Sequence, residues 1–293
     1  MSEMKLLYQN PHPLGESALW HVATRRFMWV DLYQPEIFDM DIGTMKVRRR
    51  ALNLSAPIGS MVATSDPDVM LICHRNGLSL LNLKTLKLSD YCNPEQGRDA
   101  IIFNDMKVDR WGRLWVGTSH EKEIEARGAL WCVKDKHTWS LADAGFPVSN
   151  GPAFSVDGTT MYFNDSVGRQ TFVYDINADD LKARNRRVLK SCTVDEGMPD
   201  GVTVDASGAI WNAQWAGAAL MRLSPEGAVL ARHHVPSGHV TSLCFGGDEM
   251  KTIFITTARD GLDQATLEKY PHSGSLFAMQ ADTPGIAEPL FAI

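Results

Sequence analysis

Four oxygen-bearing side chains recur at one position of a repeated pattern in this sequence. They are Glu16, Asn104, Asn150 and Asp200, and each stands beside a Gly or an Asp. Turn capping explains any single Asn-Gly or Asp-Gly pair, but it explains neither Glu16 nor the shared repeat position. Two carboxylates and two amide oxygens suit a hard divalent cation such as Ca²⁺, Mg²⁺ or Mn²⁺. Zn²⁺ also accepts carboxylates when water and substrate complete its coordination, so we predict a metal site of open identity.

The pattern that aligns these residues combines a turn with a strand. In each unit the key residue is followed five positions later by a residue that is often Asp or Ser, and three positions after that by a frequent Gly. A strand-like run comes next. Asp or Ser with Gly at this spacing is typical of a tight hairpin. The two remaining units carry Gly59 and Thr241 at the key position.

Strand-like runs recur six times, each followed by a turn and a second apolar run, and successive runs start 42, 44, 48, 49 and 43 residues apart. Helical segments are short, such as GLDQATLEKY at Gly261. Units of roughly 45 residues made of strands and turns predict an all-β, six-bladed β-propeller with four antiparallel strands per blade. A pair of β-sandwiches is the alternative, although sandwiches have no reason to keep so even a period. We predict one domain over residues 1–293, with the four polar side chains converging at one end of its axial channel.

The composition excludes several classes of function. A net charge of −6, from 29 Lys and Arg and 35 Asp and Glu, disfavours nucleic acid and anionic membranes as partners. The densest basic run, Arg48-Arg49-Arg50, is typical of a solvated strand edge rather than a phosphate site. The chain shows neither a signal peptide nor an apolar run near the roughly 18 residues that span a bilayer. Five scattered cysteines indicate reduced thiols, hence a cytoplasmic protein, rather than a disulfide framework or a zinc site.

Segments along nearly the whole chain resemble the family of senescence marker protein 30 (regucalcin), gluconolactonases and related sugar lactonases. They include GESALW at Gly15, FNDMKVDRWGRLWVGT at Phe103, SNGPAFSVDGTTMYFNDS at Ser149, PDGVTVDASGAIW at Pro199 and TSLCFGGDEMKTIFITTARDGLD at Thr241. The resemblance implies a six-bladed propeller with one divalent metal at the mouth of the axial channel. It also implies that Glu16, Asn150 and Asp200 are the metal ligands, and that Asn104 contacts substrate or metal-bound water.

The chain departs from the family pattern around the expected substrate. The family usually has Asn-Asp-Gly where this chain has Asn104-Asp105-Met106, and sugar lactonases often carry Arg where this chain has Ile102. We therefore predict substrate contacts from Arg98, His120 and Glu121, with Arg98 suited to an acidic substituent. For His120 and Arg98, a plain surface position is the competing interpretation. The polar stretch over residues 119–127 is the candidate for a lid.

The resemblance implies a hydrolase that opens a sugar (aldonic acid) lactone to the free acid in carbohydrate catabolism. Asp200 is then the candidate general base, acting directly or through metal-bound water. A cation beside Asp200 lowers its basicity, so attack by a metal-bound hydroxide is an open alternative. The rival functions are hydrolysis of a non-sugar lactone or a phosphotriester on the same scaffold, and Ca²⁺ binding without catalysis. The expected partner is a small sugar lactone, and we expect a monomer or a weak homo-oligomer.

Overall fold

The computed structural model describes residues 3–9, 11–54 and 57–293, and its strands form six antiparallel sheets of four strands each. In five of the sheets, here called blades 1 to 5, four consecutive strands pair in chain order. The chain begins with β1 (Lys5–Tyr8), which joins the last sheet. Blades 1 to 3 follow as β2 (Gly15–His21), β3 (Arg26–Asp31), β4 (Glu36–Asp41), β5 (Lys46–Ala51), β6 (Ile58–Ala63), β7 (Val69–His74), β8 (Gly77–Asn82), β9 (Leu88–Cys92), β10 (Ile101–Val108), β11 (Leu114–His120), β12 (Gly128–Asp135) and β13 (Thr138–Phe146).

Blades 4 and 5 repeat the same four-strand arrangement, and blade 6 joins the two ends of the chain. In blade 6, β1 pairs with β24 and completes the sheet as its outer strand. The remaining elements are β14 (Ser149–Phe154), β15 (Thr160–Asp165), β16 (Gln170–Asp175), β17 (Arg184–Ser191), β18 (Met198–Val204), β19 (Ile210–Trp215), β20 (Ala219–Leu223), β21 (Val229–His234), β22 (His239–Gly246), β23 (Thr252–Ala258), α1 (Gln264–Lys269) and β24 (Leu276–Gln280).

The first strand of each blade lines the centre of the molecule. These inner strands contact one another in the cyclic order β2, β6, β10, β14, β18, β22 and back to β2. A closed cycle of six sheets is a six-bladed propeller, as the 45-residue period predicted. The β-sandwich alternative is wrong, because two facing sheets contain no such cycle.

The core is divided among the interfaces between blades. Six clusters of buried apolar side chains each fill the space between two neighbouring blades. The cluster that joins blade 1 to blade 6 is rich in aromatic rings: Phe27 stacks on Phe254 with ring centroids 4.7 Å apart, and Trp29 is fully buried beside them. Each buried side chain of this size contributes roughly 1.5–3 kcal/mol to folding, so the interfaces hold the inner strands at fixed distances from the axis.

The predicted hairpins follow the inner strands at the end opposite the key residues. Gly112, Gly158 and Gly208 have φ angles of 80°, 77° and 86°, the left-handed region that Gly adopts without strain. In blade 3, a carboxylate oxygen of Asp109 accepts hydrogen bonds from the backbone N–H groups of Trp111 and Arg113. Both features confirm the turn chemistry that the sequence indicated.

The basic run Arg48-Arg49-Arg50 lies on β5, the outer strand of blade 1. Arg48 and Arg50 both pair with the buried carboxylate of Asp39, while Arg49, between them, pairs with Glu36. The run is therefore a strand edge whose charges are largely matched by carboxylates of the neighbouring strand.

Three smaller expectations concern thiols and helices. The five cysteines are free thiols, as their scattered positions predicted. The short predicted helix is α1, which Asp263 caps by accepting a hydrogen bond from the backbone N–H of Thr266. Within the part of the chain that the structure describes, no helix has the length and apolar character needed to cross a membrane.

Candidate metal centre and substrate cavity

The four key residues lie near the starts of four inner strands, at one end of the channel. Glu16 is on β2, Asn104 on β10, Asn150 on β14 and Asp200 on β18. All four line one cavity of about 170 Å³. The structure thus brings together, from four blades, the residues that the repeat pattern singled out.

A backbone irregularity accompanies the key position in every blade. Pairing between the inner strand and its neighbour shifts register at or directly after that position in all six blades, between residues 16 and 19, 58 and 60, 103 and 106, 150 and 153, 199 and 202, and 240 and 242. A β-bulge re-aims the side chains next to it and is common beside active sites. The bulges therefore explain how side chains on inner strands reach the end of the channel.

Among the residues that the structure describes, the key positions of the two other blades do not line this cavity. A Cβ atom at Gly59 would lie 2.4 Å from the carbonyl oxygen of Asn104, so blade 2 has room only for Gly at the key position. In blade 6, the hydroxyl of Thr241 donates to the carbonyl oxygen of Gly15 at 2.6 Å and supports the backbone beside Glu16. The polar floor consequently has four side chains rather than six.

Hydrogen bonds fix the orientation of both amides on the floor. Nδ2 of Asn104 donates to the carbonyl oxygen of Ser149 and to Oδ1 of Asn150, both at 2.8 Å. Nδ2 of Asn150 donates to the hydroxyl of Ser166 at 2.8 Å, and that hydroxyl donates to the carbonyl oxygen of Pro199 at 2.6 Å. Both N–H donors of Asn104 and one N–H of Asn150 are thereby used within the protein, and each Oδ1 keeps a lone pair for a ligand.

On the floor, the carboxylate of Asp200 is buried and that of Glu16 is half-buried. Burial and the charge of Asp105 raise the pKa of Glu16 to about 8, against a hydrogen bond from the N–H of Ser17 that lowers it. Burial raises the pKa of Asp200 well above its ordinary value, and the charges of Glu16, Asp105 and Glu123 add to the increase. Among the described residues that line the cavity, none is Lys, Arg or His.

This donor set fits a divalent cation. Carboxylate and amide oxygens are hard ligands, and a bound 2+ ion would offset the charges that raise the two pKa values. No three His, Cys, Asp or Glu side chains converge in a metal-binding arrangement within residues 3–9, 11–54 and 57–293. A cation at this floor would therefore take an amide oxygen beside the two carboxylates, from Asn104 or from Asn150. The choice of Asn150 is what the family resemblance implies and stays a prediction.

Asp105 lies deeper in the channel, next to the floor residue Asn104. Its carboxylate accepts hydrogen bonds from the hydroxyl of Ser60 and the N–H of Gly151, both at 3.0 Å. Burial raises the pKa of Asp105, and Lys107 nearby partly opposes that increase. In the sequence Asp105 stands out only as the neighbour of Asn104, because the key residues of the other five units are followed by Ser or Gly.

The walls and mouth of the cavity come from loops and from one strand end. Trp215, which ends β19, stacks on the buried His239 with ring centroids 3.9 Å apart. Burial lowers the pKa of His239 to about 4, so the stack is uncharged at neutral pH. Tyr33, Glu123 and Asp260 also line the cavity. No repeat position of the sequence marks these three residues.

The three predicted substrate contacts Arg98, His120 and Glu121 do not line this cavity. Arg98 donates to the buried carboxylate of Glu95 at 2.6 Å and to the carbonyl oxygen of Arg127. His120 is buried, 3.8 Å from Glu125, and Glu121 pairs with Arg75 at 2.5 Å. Their positions give the predicted contacts no support. From the polar stretch over residues 119–127, Glu123 is the side chain that reaches the cavity.

Comparison with known proteins assigns the chain's family. A family model described as the SMP-30/Gluconolactonase/LRE-like region matches residues 14–259. A protein named 6-deoxy-6-sulfogluconolactonase from Pseudomonas putida is 30% identical over 289 residues, covering 99% of this chain and 98% of its own. Regucalcin from Xenopus laevis is 30% identical over 301 residues and 100% of both chains.

The crystal structure of a calcium-binding protein, regucalcin, from Agrobacterium tumefaciens is similar over the whole molecule. Its TM-score is 0.92 at 27% identity, and the match covers 100% of this chain and 98% of that one. A luciferin-regenerating enzyme matches with a TM-score of 0.90 at 23% identity, which shows that the two share a fold.

Proposed function

Because the chain belongs to the SMP-30/gluconolactonase/LRE-like family, we propose that it is a divalent-metal-dependent hydrolase that opens a sugar lactone to the free acid. The observation that carries this proposal is the pair of carboxylates, half-buried Glu16 and buried Asp200, in a cavity that no described Lys, Arg or His lines. Such a pair is costly to a fold unless a cation binds it. Strongly perturbed carboxylates in a cavity are typical of functional sites.

Glu16, Asn150 and Asp200 would hold the cation. When bound, a divalent cation at this position polarises the lactone carbonyl and offsets the negative charge that develops on its oxygen. The hydrogen bonds of Asn150 to Asn104 and Ser166 hold its amide oxygen toward the cavity. Preset ligands of this kind lower the reorganisation that binding requires.

Asp200 accepts the proton of the attacking water in this proposal. The water oxygen bonds to the carbonyl carbon, the bond from that carbon to the ring oxygen breaks, and the ring oxygen takes up the proton to become a hydroxyl group. The product is one open-chain hydroxy acid. Asn104, whose two N–H donors are both used within the protein, presents Oδ1 as an acceptor that orients the water or a substrate hydroxyl.

The walls of the cavity support a sugar as the substrate. Trp215 presents a flat apolar ring that is held in place by His239, and the C–H face of a sugar ring packs on such a surface. Glu123, Asp260 and Tyr33, which also line the cavity, supply acceptors and a hydroxyl for sugar hydroxyl groups. Apolar and aromatic walls with a few polar groups are the usual layout of a small-molecule site.

Metal removal is the direct test of this function. The protein is stripped with a chelator, and Ca²⁺, Mg²⁺, Mn²⁺ and Zn²⁺ are added back one at a time. Acid release from glucono-1,5-lactone is followed with a pH indicator and corrected for spontaneous opening. We expect no turnover without metal and recovery with at least one cation, while Glu16→Gln needs far more metal for the same rate.

Glu249→Gln is the matched control, because Glu249 is an exposed carboxylate in the turn at the opposite end of blade 6. It should respond to metal like the unmodified protein. Full activity in the stripped protein would overturn the metal-dependent mechanism. Tight Ca²⁺ binding with no turnover on a panel of sugar lactones, aliphatic lactones and phosphotriesters would overturn the hydrolase itself.

A further inference from the structure

The mouth of the cavity carries a second pair of carboxylates, Glu123 and Asp260. Both line the cavity together with Tyr33, whose hydroxyl donates to Oδ2 of Asp260 at 2.9 Å. This pair is separate from Glu16 and Asp200, which belong to the floor. Its function is not explained by metal binding at the floor.

Glu123 differs from the other glutamates of its segment. Glu121 pairs with Arg75, and Glu125 lies within ion-pair distance of His120 and Arg127. Within the described part of the chain, Glu123 has no cationic partner at that distance, and it is the segment's side chain at the cavity. Its carboxylate is thus left for a ligand.

The backbone holds both carboxylates at the mouth. Glu123 has a φ of 59°, and its N–H donates to the carbonyl oxygen of His120 at 2.8 Å in a tight turn. The N–H of Asp260 donates to the carbonyl oxygen of Pro13 at 3.0 Å. Partial burial and the charge of Asp260 raise the pKa of Glu123, which indicates that the two carboxylates are close enough to interact.

The charges around the cavity are unbalanced even with a cation on the floor. Four of its lining residues are carboxylates, Glu16, Glu123, Asp200 and Asp260, and none among the described lining residues is a cation. A 2+ ion would balance two of these charges. Lys122 and Arg259 stand next to the mouth residues in sequence, but both are exposed and neither lines the cavity.

We infer that the site selects uncharged sugar lactones, and that Glu123 and Asp260 exclude lactones carrying a sulfonate or carboxylate group. This inference rests on the lactonase function proposed above. An uncharged sugar offers hydroxyl groups, which donate hydrogen bonds to carboxylates. A sulfonate or carboxylate has only acceptors to offer and meets two like charges, and like-charge contacts are a strong means of rejecting a ligand.

The test compares glucono-1,5-lactone with its 6-deoxy-6-sulfo counterpart, which differs by one anionic group. We expect the protein to favour the uncharged lactone in kcat/KM by about tenfold, since the mouth is solvated and its charges are partly screened. The double variant Glu123→Gln, Asp260→Asn should lose most of this preference, mainly through faster turnover of the sulfonated lactone. Glu249→Gln, which lies at the other end of the propeller, should keep it.

Ionic strength and a binding measurement make the test sharper. Raising the salt from 20 to 500 mM (values chosen for about a fivefold change in screening length) should narrow the preference in the unmodified protein and leave the double variant unchanged. Calorimetry with 1,5-anhydroglucitol and its 6-sulfo derivative, which cannot be hydrolysed, should show the same order of affinity. A melting curve checks that the double variant is folded.

The outcomes separate this inference from the function on which it rests. Turnover of both lactones with equal kcat/KM, or a preference for the sulfonated one, contradicts the charge selection and leaves the lactonase intact. An equal change for both substrates in the double variant also contradicts it. Absence of turnover on either lactone with any cation contradicts the lactonase.

Discussion

Two buried aspartates at opposite ends of one inner strand differ in the charges and hydrogen-bond donors that surround them. Asp200 lies near the start of β18 and Asp205 directly follows its end, and their exposed fractions are 5% and 0%. Asp205 accepts hydrogen bonds from Nε1 of Trp211 at 2.9 Å and from Arg222 at 2.6 and 3.0 Å. Among the described residues that line the cavity, none is a cation that could pair with Asp200, which shares its surroundings with Glu16.

The pKa values of the two carboxyls record this difference. Burial by itself raises the pKa of Asp205, but hydrogen bonds from Ser207, Trp211 and Arg222 outweigh it and lower the pKa. At Asp200, burial and neighbouring negative charges act together and raise the pKa. A buried carboxylate with matched partners stabilises a fold, whereas an unmatched one lowers its stability and is retained for binding or chemistry.

The largest expected effect is on activity. Asp200→Asn should lower kcat for lactone hydrolysis by about 10³-fold, because the amide neither accepts the proton of water nor balances a cation. Asp179→Asn is the control, since Asp179 is exposed on the loop between β16 and β17. A rate for Asp200→Asn within tenfold of the unmodified protein would remove Asp200 from the chemistry.

The same substitution at Asp205 should lower the stability of the fold and leave the rate of hydrolysis unchanged. Asp205→Asn leaves Arg222 without its charge partner in a site where the carboxylate is fully buried. We expect the free energy of unfolding to fall by about 3 kcal/mol, measured by urea unfolding, with kcat of the folded protein unchanged. Loss of activity without a fall in the free energy of unfolding would show that Asp205 acts in the reaction, and would contradict the contrast with Asp200.

Replacement of Glu16 should have an intermediate effect on the free energy of unfolding, opposite in sign to that of Asp205→Asn. In the metal-free protein its pKa of about 8 exceeds the ordinary value of 4.5, so folding takes up a proton between those pH values. Stability therefore falls as pH rises from about 4.5 to about 8. Glu16→Gln should stabilise the chelator-treated protein by about 2 kcal/mol at pH 7 and by little at pH 5. Saturating metal should reverse the order, because the charged carboxylate of Glu binds the cation more tightly than the neutral amide of Gln.

The smallest expected effect is the loss, in acid, of the contribution that Asp205 makes to stability. Its folded pKa lies below the ordinary value of 3.8, so its stabilising contribution is complete above that value and is lost as pH falls through the folded pKa. Urea unfolding of the unmodified protein and Asp205→Asn should show a constant gap from pH 5 to 7 (a range about one unit or more above the ordinary pKa). The gap should narrow below about pH 4. A gap that widens in acid would mean that Asp205 is not the ionised partner of Arg222.

The floor of the cavity was predictable because it follows the repeat. Each blade places the same position of the repeat at the same end of the channel, so a sequence alignment of the units also aligns positions in space. Glu16, Asn104, Asn150 and Asp200 could be grouped on that basis. Their individual roles as metal ligands and base stay predictions, which the metal and variant experiments above address.

The mouth of the cavity was not predictable in this way. Arg98, His120 and Glu121 were proposed from their nearness in sequence to expected positions, yet the structure directs Glu123 to the cavity instead. Glu123 has a left-handed backbone conformation within a tight turn of this loop. A loop conformation of this kind has no period, so no alignment of repeats reveals it.

The sequence by itself determined the six-bladed propeller and the shared position of four polar side chains. Periodic strands, hairpin Gly residues and apolar interfaces between blades all act locally or between neighbouring units, and a repeat contains that information. Only the tertiary structure decided which carboxylates have a cationic partner. Whether Asp200 or Asp205 lies beside an arginine depends on contacts between separate strands and loops. A buried charge is costly unless it is paired, and the residue that pairs with it is distant in the sequence.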